Sequence, residues 1–268
     1  MSTRLSDLIS KCESLWPLAG AEDWDAPGLV TGDLSQGISR VLLTVDVTHE
    51  IIEEAIDGKF DLVLAHHPFL LRPVNSVAEQ KPKGSLLAKA IRANLAIYAA
   101  HTNADIVENG VSDVLAKSLG LAESKPLQGI NEGAGRVGNL PSEIKLGDFA
   151  RLIAKVLPST ASGVRVSGDY EKMINRVAVC GGAGDSLIDA AIESRADVYV
   201  TSDLRHHPTQ ETREKVGIEG LALIDVSHWA SEWLWLEVAA AKLQIQFSNI
   251  QFVVSQIRTD PWDFVVTQ

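Results

Sequence analysis

The chain has 268 residues, of which 46% are hydrophobic and 22% are charged, and its formal net charge is −11. This acidity disfavours the broad positive surface that DNA or RNA binding requires, so no nucleic-acid partner is expected. No apolar run approaches the ~18 residues of a membrane helix, and the first residues lack the layout of a secretory signal. We therefore expect a cytoplasmic protein without membrane contact.

The first part of the chain alternates helical and strand patterns, which is typical of an α/β fold with mainly parallel strands. Apolar residues recur at helical spacing from Leu5 to Leu15, and Ser2 or Thr3 is expected to cap this helix. Further along, the pattern predicts a strand, a helix, a strand, a helix and a strand, at residues 40–47, from Thr48 on, 61–65, 85–94 and 95–100.

The composition changes beyond Gly120. Residues 125–141 are rich in glycine and carry two prolines, so we interpret 125–145 as a linker or an elaborate surface loop. The alternation then resumes with predicted helices at 146–156, 186–194, near Thr209 and 228–243, and predicted strands at 164–167, 176–180, 197–201 and 221–226. This organisation predicts two similar α/β lobes with mainly parallel or mixed sheets, residues 1–124 and 146–268, or one integrated domain.

The two halves share a sequence pattern. In each half a strand leads towards His-His-Pro, at residues 66–68 and 206–208, and the next strand ends in a histidine. A carboxylate follows that histidine four residues later, which pairs His101 with Asp105 and His228 with Glu232. The pattern indicates a diverged duplication, in which the strand ends of both halves could face one shared site between the lobes.

Most histidines follow the C-terminal ends of predicted strands, where open α/β sheets bind ligands. His66 and His67 are adjacent, so their side chains diverge in extended backbone and suit two different metal ions better than one. His228 and Glu232 lie four residues apart at the start of a helix, which places them on one face. This convergence of histidines and carboxylates predicts a metal site. Cys12 and Cys180 lie far apart in apolar segments and are expected to be buried thiols rather than ligands.

Several roles stay open at this point. Asp105 offers the hard oxygen donors of a metal ligand, or else caps a loop or helix. His101 could be a ligand, an orienting partner or a general acid/base, and His206 could transfer protons. Asp203, His206 and His207 could alternatively form a solvated loop. The glycines at 181, 182 and 184 could bind a phosphate on backbone N–H groups, or could serve only a tight turn.

These motifs resemble the Nif-three-like dinuclear metal-centre family, whose bacterial members are often labelled GTP cyclohydrolase type 2 homologs. The resemblance covers nearly the whole chain, in the family's order. The motifs that carry it are Trp24-Asp25 with Gly28-Leu29, His66-His67-Pro68, His101-Thr102-Asn103-x-Asp105, Gly135-Arg136-Val137-Gly138, Val177 to Gly182, Thr201-Ser202-Asp203, and His228-x-x-x-Glu232. Ser202 stands where the family usually has glycine.

The resemblance implies two divalent metal ions per chain, held by residues that match the family's ligand positions: His66, His67, Asp105, His228 and Glu232. It further implies that Glu232 bridges the ions and that the protein is a ring-shaped homo-hexamer. Imidazole and carboxylate ligands suit Zn, Fe, Mn and Ni, so the metal stays open. The leading hypothesis is a metal-dependent hydrolase of a small molecule, such as a nucleotide or another phosphate compound, with His101 and His206 as catalytic residues. The alternative is a non-catalytic metal-binding hexamer with a scaffold or regulatory role.

Overall fold

The structure, a computed structural model, describes residues 3–129 and 133–267. In chain order its helices and strands are β1 (Thr3–Arg4), α1 (Leu5–Leu15), β2 (Gly28–Thr31), β3 (Gly37–Ile38), β4 (Arg40–Thr44), α2 (His49–Asp57), β5 (Leu62–Ala65), α3 (Pro82–Arg92), β6 (Ala96–Ala99), α4 (Thr102–Asp105), α5 (Val111–Ser118), β7 (Ala122–Pro126), β8 (Arg136–Lys145), α6 (Leu146–Val156), β9 (Arg165–Ser167), β10 (Met173–Ala183), α7 (Ile188–Glu193), β11 (Val198–Ser202), α8 (His206–Val216), β12 (Ala222–Val226), α9 (His228–Gln246) and β13 (Gln251–Val254). None of the helices formed by these residues is long and apolar enough to cross a membrane.

The chain forms two compact units that do not follow its linear order. The first contains the residues up to Ala104 together with Leu236–Thr259, and the second contains Asp105–Trp235 with the residues from Asp260 on. The lobes at 1–124 and 146–268, separated by 125–145, rest on the sequence pattern and stay a prediction.

The first unit is built on a five-stranded sheet in the order β13-β4-β5-β6-β2. All neighbours are parallel except β2, which runs antiparallel to β6. The register places Thr44 opposite Ala65, and Ala65 opposite Ala99, so the three central strands end at the same level. Apolar side chains from β4, β5, β6, α2 and α3 form the buried core beside this sheet. The residues that follow these strand ends are therefore brought together by the register alone.

The second unit contains a six-stranded sheet in the order β7-β8-β10-β11-β12-β9. Its central strands β10, β11 and β12 are parallel, and β8 and β9 flank them antiparallel. Residues of β10, β11, β12 and α7 form its core. The expectation of a mixed α/β fold with parallel and antiparallel strands is confirmed.

The two sheets repeat one topology, since the order β4-β5-β6-β2 in the first corresponds to β10-β11-β12-β9 in the second. A matching side-chain contact accompanies it. Asp61 accepts hydrogen bonds from the backbone N–H groups of Ser39 and Arg40, at 2.7 and 2.9 Å. Asp197 accepts from two consecutive N–H groups of β10, both at 2.8 Å. The similarity of the two halves that the sequence pattern indicates is therefore present in their strand order and in this contact.

Two local expectations differ from the structure. The N-cap of α1 is Arg4, whose backbone N–H donates to Asp7 at 3.1 Å, rather than Thr3; Ser2 lies outside the described residues. Much of the stretch interpreted as a loop at 125–145 is strand β8, which pairs antiparallel with β7 and β10. The one glycine of β8 permits this packing, since a Cβ on Gly138 would lie 2.9 Å from the carbonyl oxygen of Ala122. Close strand approach, rather than loop flexibility, explains this glycine.

Candidate metal centre

Three histidines gather at the strand ends of the first unit. His66 and His67 follow β5 directly, and His101 follows β6 after one residue. Their ring centroids lie 5.0, 5.2 and 5.3 Å apart, and one nitrogen from each lies within 4.8 Å of the others. His66 is fully buried and the other two are partly buried. This spacing brings three ligand atoms close enough to hold a metal ion.

Two of these histidines are oriented by carboxylates. The Nδ1–H of His67 donates to Asp46 at 2.7 Å, and the Nδ1–H of His101 donates to Asp25 at 2.7 Å. An ionised carboxylate can only accept, so each contact fixes the tautomer and leaves Nε2 with its lone pair. This is the arrangement that orients metal-ligating histidines in proteins.

His66 is oriented by the backbone instead. Its Nδ1–H donates to the carbonyl oxygen of Ala100 at 2.9 Å. A carbonyl cannot donate, so this contact also assigns the proton to Nδ1 and the lone pair to Nε2. All three rings of the cluster therefore present Nε2 as the potential ligand atom.

The environment of Asp25 keeps its carboxylate charged. Burial raises its pKa, but hydrogen bonds from His101 and Thr102 outweigh this effect and lower the pKa to about 2. Both the backbone N–H and the hydroxyl of Thr102 donate to it. Asp25 thus remains an acceptor for His101 at physiological pH.

The second unit contributes a pair at the start of α9. His228 is the first residue of this helix, and its Nε2 lies 2.9 Å from Oε1 of Glu232, one turn later. Its Nδ1 lies 2.7 Å from Asp203, which follows β11 in the left-handed region at φ 57°. Glu232 is only 3% exposed. A buried carboxylate is costly without a cationic partner, so this position favours a cation.

The neighbouring carboxylates also favour the protonated form of His228. Burial lowers its pKa, but Glu232 and the hydrogen bond with Asp203 outweigh this and raise the pKa to about 11. A divalent ion bound at Nε2 would have to displace that proton. Two carboxylates around one imidazole therefore make a strong cation site, for either a proton or a metal.

Gly182 has no side chain, and His228 and Glu232 occupy the space that a Cβ at this position would need. A Cβ at this position would lie 2.5 Å from Oε1 of Glu232 and 3.2 Å from Nε2 of His228. The backbone N–H of Gly182 donates to the hydroxyl of Ser231 at 2.9 Å. Gly184 is restricted as well, since its Cβ would lie 2.3 Å from the hydroxyl of Tyr199. The structure thus supports the steric explanation of this glycine run.

Asp105 and His206 are further candidate residues of the second unit. Asp105 ends α4, and the guanidinium of the buried Arg136 donates to the next two carbonyls, of Ile106 and Val107, at 3.1 and 2.8 Å. His206 begins α8, is exposed, and lies against His207 with ring centroids 5.3 Å apart. The roles of Asp105 as a ligand and of His206 as a catalytic group stay predictions.

His206 lines a cavity of about 590 Å³ together with Arg165, Arg205 and Arg213. Within the described part of the chain, neither His228 nor Glu232 belongs to its walls. The catalytic role of His206 thus rests on the sequence pattern.

Sequence reasoning missed the orienting roles of Asp25, Asp46 and Asp203. Asp46 lies two residues beyond the end of β4, and Asp203 lies one residue beyond the end of β11. A search for carboxylates, as well as histidines, just beyond the predicted strands would have found Asp46 and Asp203. Asp25 precedes β2 and makes its contact across 76 residues, so its role was not available from spacing.

Comparison with known proteins agrees with this architecture. A family model described as Duf34/NIF3 (NGG1p interacting factor 3) matches residues 3–261. A Streptomyces coelicolor protein named GTP cyclohydrolase 1 type 2 homolog is 42% identical, covering 97% of this chain and 93% of its own length. A Streptococcus pneumoniae protein of the same name is 32% identical, with 97% and 99% covered.

Solved structures show the same fold. A Bacillus cereus protein related to NIF3 superposes with a TM-score of 0.92 at 25% identity, covering 99% of this chain and all of that one. A Staphylococcus aureus hypothetical protein gives a TM-score of 0.90 at 27% identity, with 99% and 100% covered. The sequence motifs, the fold and these matches over nearly the full length together establish that the chain belongs to the Duf34/NIF3 family.

Proposed function

We propose that the protein binds two divalent cations and uses them to hydrolyse a small anionic substrate, such as a nucleotide or another phosphate compound. The proposed ligands are His66, His67, Asp105, His228 and Glu232. The observation that carries the proposal is the orientation of the histidines, since each candidate ring has its Nδ1 held by an oxygen. Such contacts leave Nε2 directed towards a ligand.

The donor set also indicates the charge of the substrate. Three neutral imidazoles and two carboxylates contribute two negative charges, whereas two divalent cations contribute four positive ones. An anionic group would balance this excess inside a partly buried site. The names of the relatives, GTP cyclohydrolase 1 type 2 homolog, are compatible with a phosphorylated substrate.

When bound, the cations would supply Lewis-acid activation of a phosphoryl or carbonyl oxygen. The contribution of the chain itself is orientation and proton handling. His101 donates its Nδ1–H to the charged Asp25 and keeps Nε2 for a proton of the reacting molecule. Because Asp25 orients this ring, His101 is suited to general acid/base catalysis.

We further propose, from the family resemblance, that the protein assembles into a homo-hexamer. Several apolar side chains near the C-terminus are strongly exposed, as expected of a contact surface: Trp262, Phe264, Val265 and Val266. A non-catalytic role of such an assembly is the alternative that the test below must separate from catalysis.

The test combines elemental analysis with turnover assays on natively expressed protein. We expect about two ions per chain, with fewer in Glu232→Gln, and metal-dependent release of product from a panel of nucleotides, phosphoesters and cyclic amides. His101→Gln should retain the ions and lose turnover. If the wild-type protein holds two ions but turns over no member of the panel, the scaffold alternative is favoured. A metal content near zero after gentle purification would contradict the metal site itself.

A further inference from the structure

Trp24 is an exposed indole beside the histidine cluster. It is 61% exposed, whereas Trp16 and Trp235 are buried. Burial of a large aromatic side chain stabilises a folded protein, and Trp24 forgoes most of this stabilisation. Its indole contacts the ring of His101 edge-to-face, with centroids 5.9 Å apart and an angle of 80° between the planes. Most of the indole surface remains accessible next to a candidate catalytic residue.

The loop that carries Trp24 is held in place. The backbone N–H of Glu22 donates to the hydroxyl of Thr102 at 3.0 Å, and the N–H of Asp25 donates to the carbonyl of Glu22 at 2.9 Å. The carboxylate of Asp25 accepts from His101 and from Thr102. Trp24 therefore lies on a segment fixed at both sides to the residues of the candidate site. A ligand would meet a preorganised ring rather than a mobile one.

We propose that Trp24 stacks on a planar ring of the substrate and so determines the substrate class: a small anionic molecule with a conjugated heterocycle. This inference rests on the proposed metal-dependent function, which supplies the anion-binding part of the same molecule. Stacking of a base on an aromatic side chain is worth roughly 1–3 kcal/mol. It should therefore favour the ring-containing ligand by about five- to 150-fold.

The test compares ligands that differ only in the ring. Dissociation constants of ribose 5-phosphate and of the 5′-monophosphates of guanosine, adenosine and uridine are measured by calorimetry on the metal-loaded full-length protein. We expect at least one nucleotide to bind about tenfold or more tightly than ribose 5-phosphate. Trp24→Ala should remove this preference while ions per chain and melting temperature stay unchanged. Trp24→Phe should keep most of it, because a planar ring remains.

Tyr170 provides a control, since it is an aromatic side chain that is 45% exposed and lies in the other unit. Tyr170→Ala should keep the full ring preference. The inference is overturned if Trp24→Ala keeps the wild-type preference, or if the wild-type protein prefers none of the three nucleotides. It is also overturned if Trp24→Ala changes the oligomeric state, because the indole would then be a contact between copies. Loss of the metal from the wild-type protein would instead contradict the proposed function.

Discussion

At the scale of single residues, the candidate site depends on positions that carry no chemistry themselves. Gly182 combines a left-handed backbone, at φ 69°, with a place where any Cβ would touch Glu232. Only glycine adopts this conformation at no steric cost. The glycine of this motif is thus required by both the backbone and the neighbouring ligand candidates.

Gly182→Ala should consequently lower both stability and metal binding. Gly217→Ala is a close control, because Gly217 has a φ of 70° and nothing within 4 Å of its Cβ position. Both variants should lose roughly 1 kcal/mol of unfolding free energy through backbone strain. Only Gly182→Ala should also lose metal, measured as ions per chain. Equal metal content in the two variants would show that the close approach to Glu232 has no functional consequence.

At the scale of secondary-structure elements, neighbouring parallel strands supply a histidine and the carboxylate that orients it. His67 follows β5 and pairs with Asp46, which follows β4. His228 follows β12 and pairs with Asp203, which follows β11. Parallel strands in register end at one level, so the residues just beyond them lie close together without a special loop conformation. The same geometry explains why strand-end histidines were recognisable from the sequence.

Helices and strands with a clear local sequence pattern could be predicted. Those that depend on contacts with distant parts of the chain could not. Helices α1 and α6 have the predicted residues, because an amphipathic period of 3.6 is a local property. Strand β8 was missed because Gly138 is explained only by the closeness of its partner strand β7. The contact between Asp25 and His101 was missed for the same reason, since it joins distant parts of the chain.

Arg136 connects β8 to the segment after Asp105, and its charge is balanced by Asp113. Burial raises the pKa of Asp113, but Lys117, the backbone N–H of Asn109 and Arg136 outweigh this and lower it. A carboxylate whose pKa is lower in the folded than in the unfolded chain stabilises the folded state. This contribution is complete at a pH above the unfolded pKa of about 3.9. This contribution decreases as the pH falls towards the folded value.

Asp113→Asn should therefore be less stable than the wild-type protein at neutral pH, by roughly 1–3 kcal/mol, because a buried hydrogen-bonded charge is removed. The difference should persist down to about pH 5 and shrink below about pH 4, because the carboxyl of the unfolded wild-type chain then binds a proton before that of the folded chain does. Melting temperatures measured from pH 7 to pH 3 check this. Asp189→Asn is the control, because Asp189 pairs with Lys215 at the exposed surface and should have little effect at any pH. A constant difference across the range would contradict the assigned ionisation.

At the scale of the whole molecule, the two sheets repeat one strand order. The two compact units, however, are not two consecutive halves of the chain. The first unit takes up Leu236–Thr259, which includes β13 at the edge of its sheet. Strand β13 pairs with β4 across more than 200 residues. Such a long-range pairing leaves no local signal, whereas the repeat itself was visible as two His-His-Pro motifs.

Metal binding at the proposed ligands should stabilise the folded chain. A cation that binds only the folded state, at a free concentration of 100 times its Kd, adds about 2.7 kcal/mol to the unfolding free energy. For a protein of this size we expect the melting temperature to rise by roughly 5–10 °C when metal is restored to chelator-treated protein. Protection from amide hydrogen exchange should increase around His66 and around His228 alike. Glu232→Gln should show a smaller rise than the wild-type protein, whereas the surface variant Asp189→Asn should show the full one. Equal melting temperatures with and without metal would contradict the proposed site.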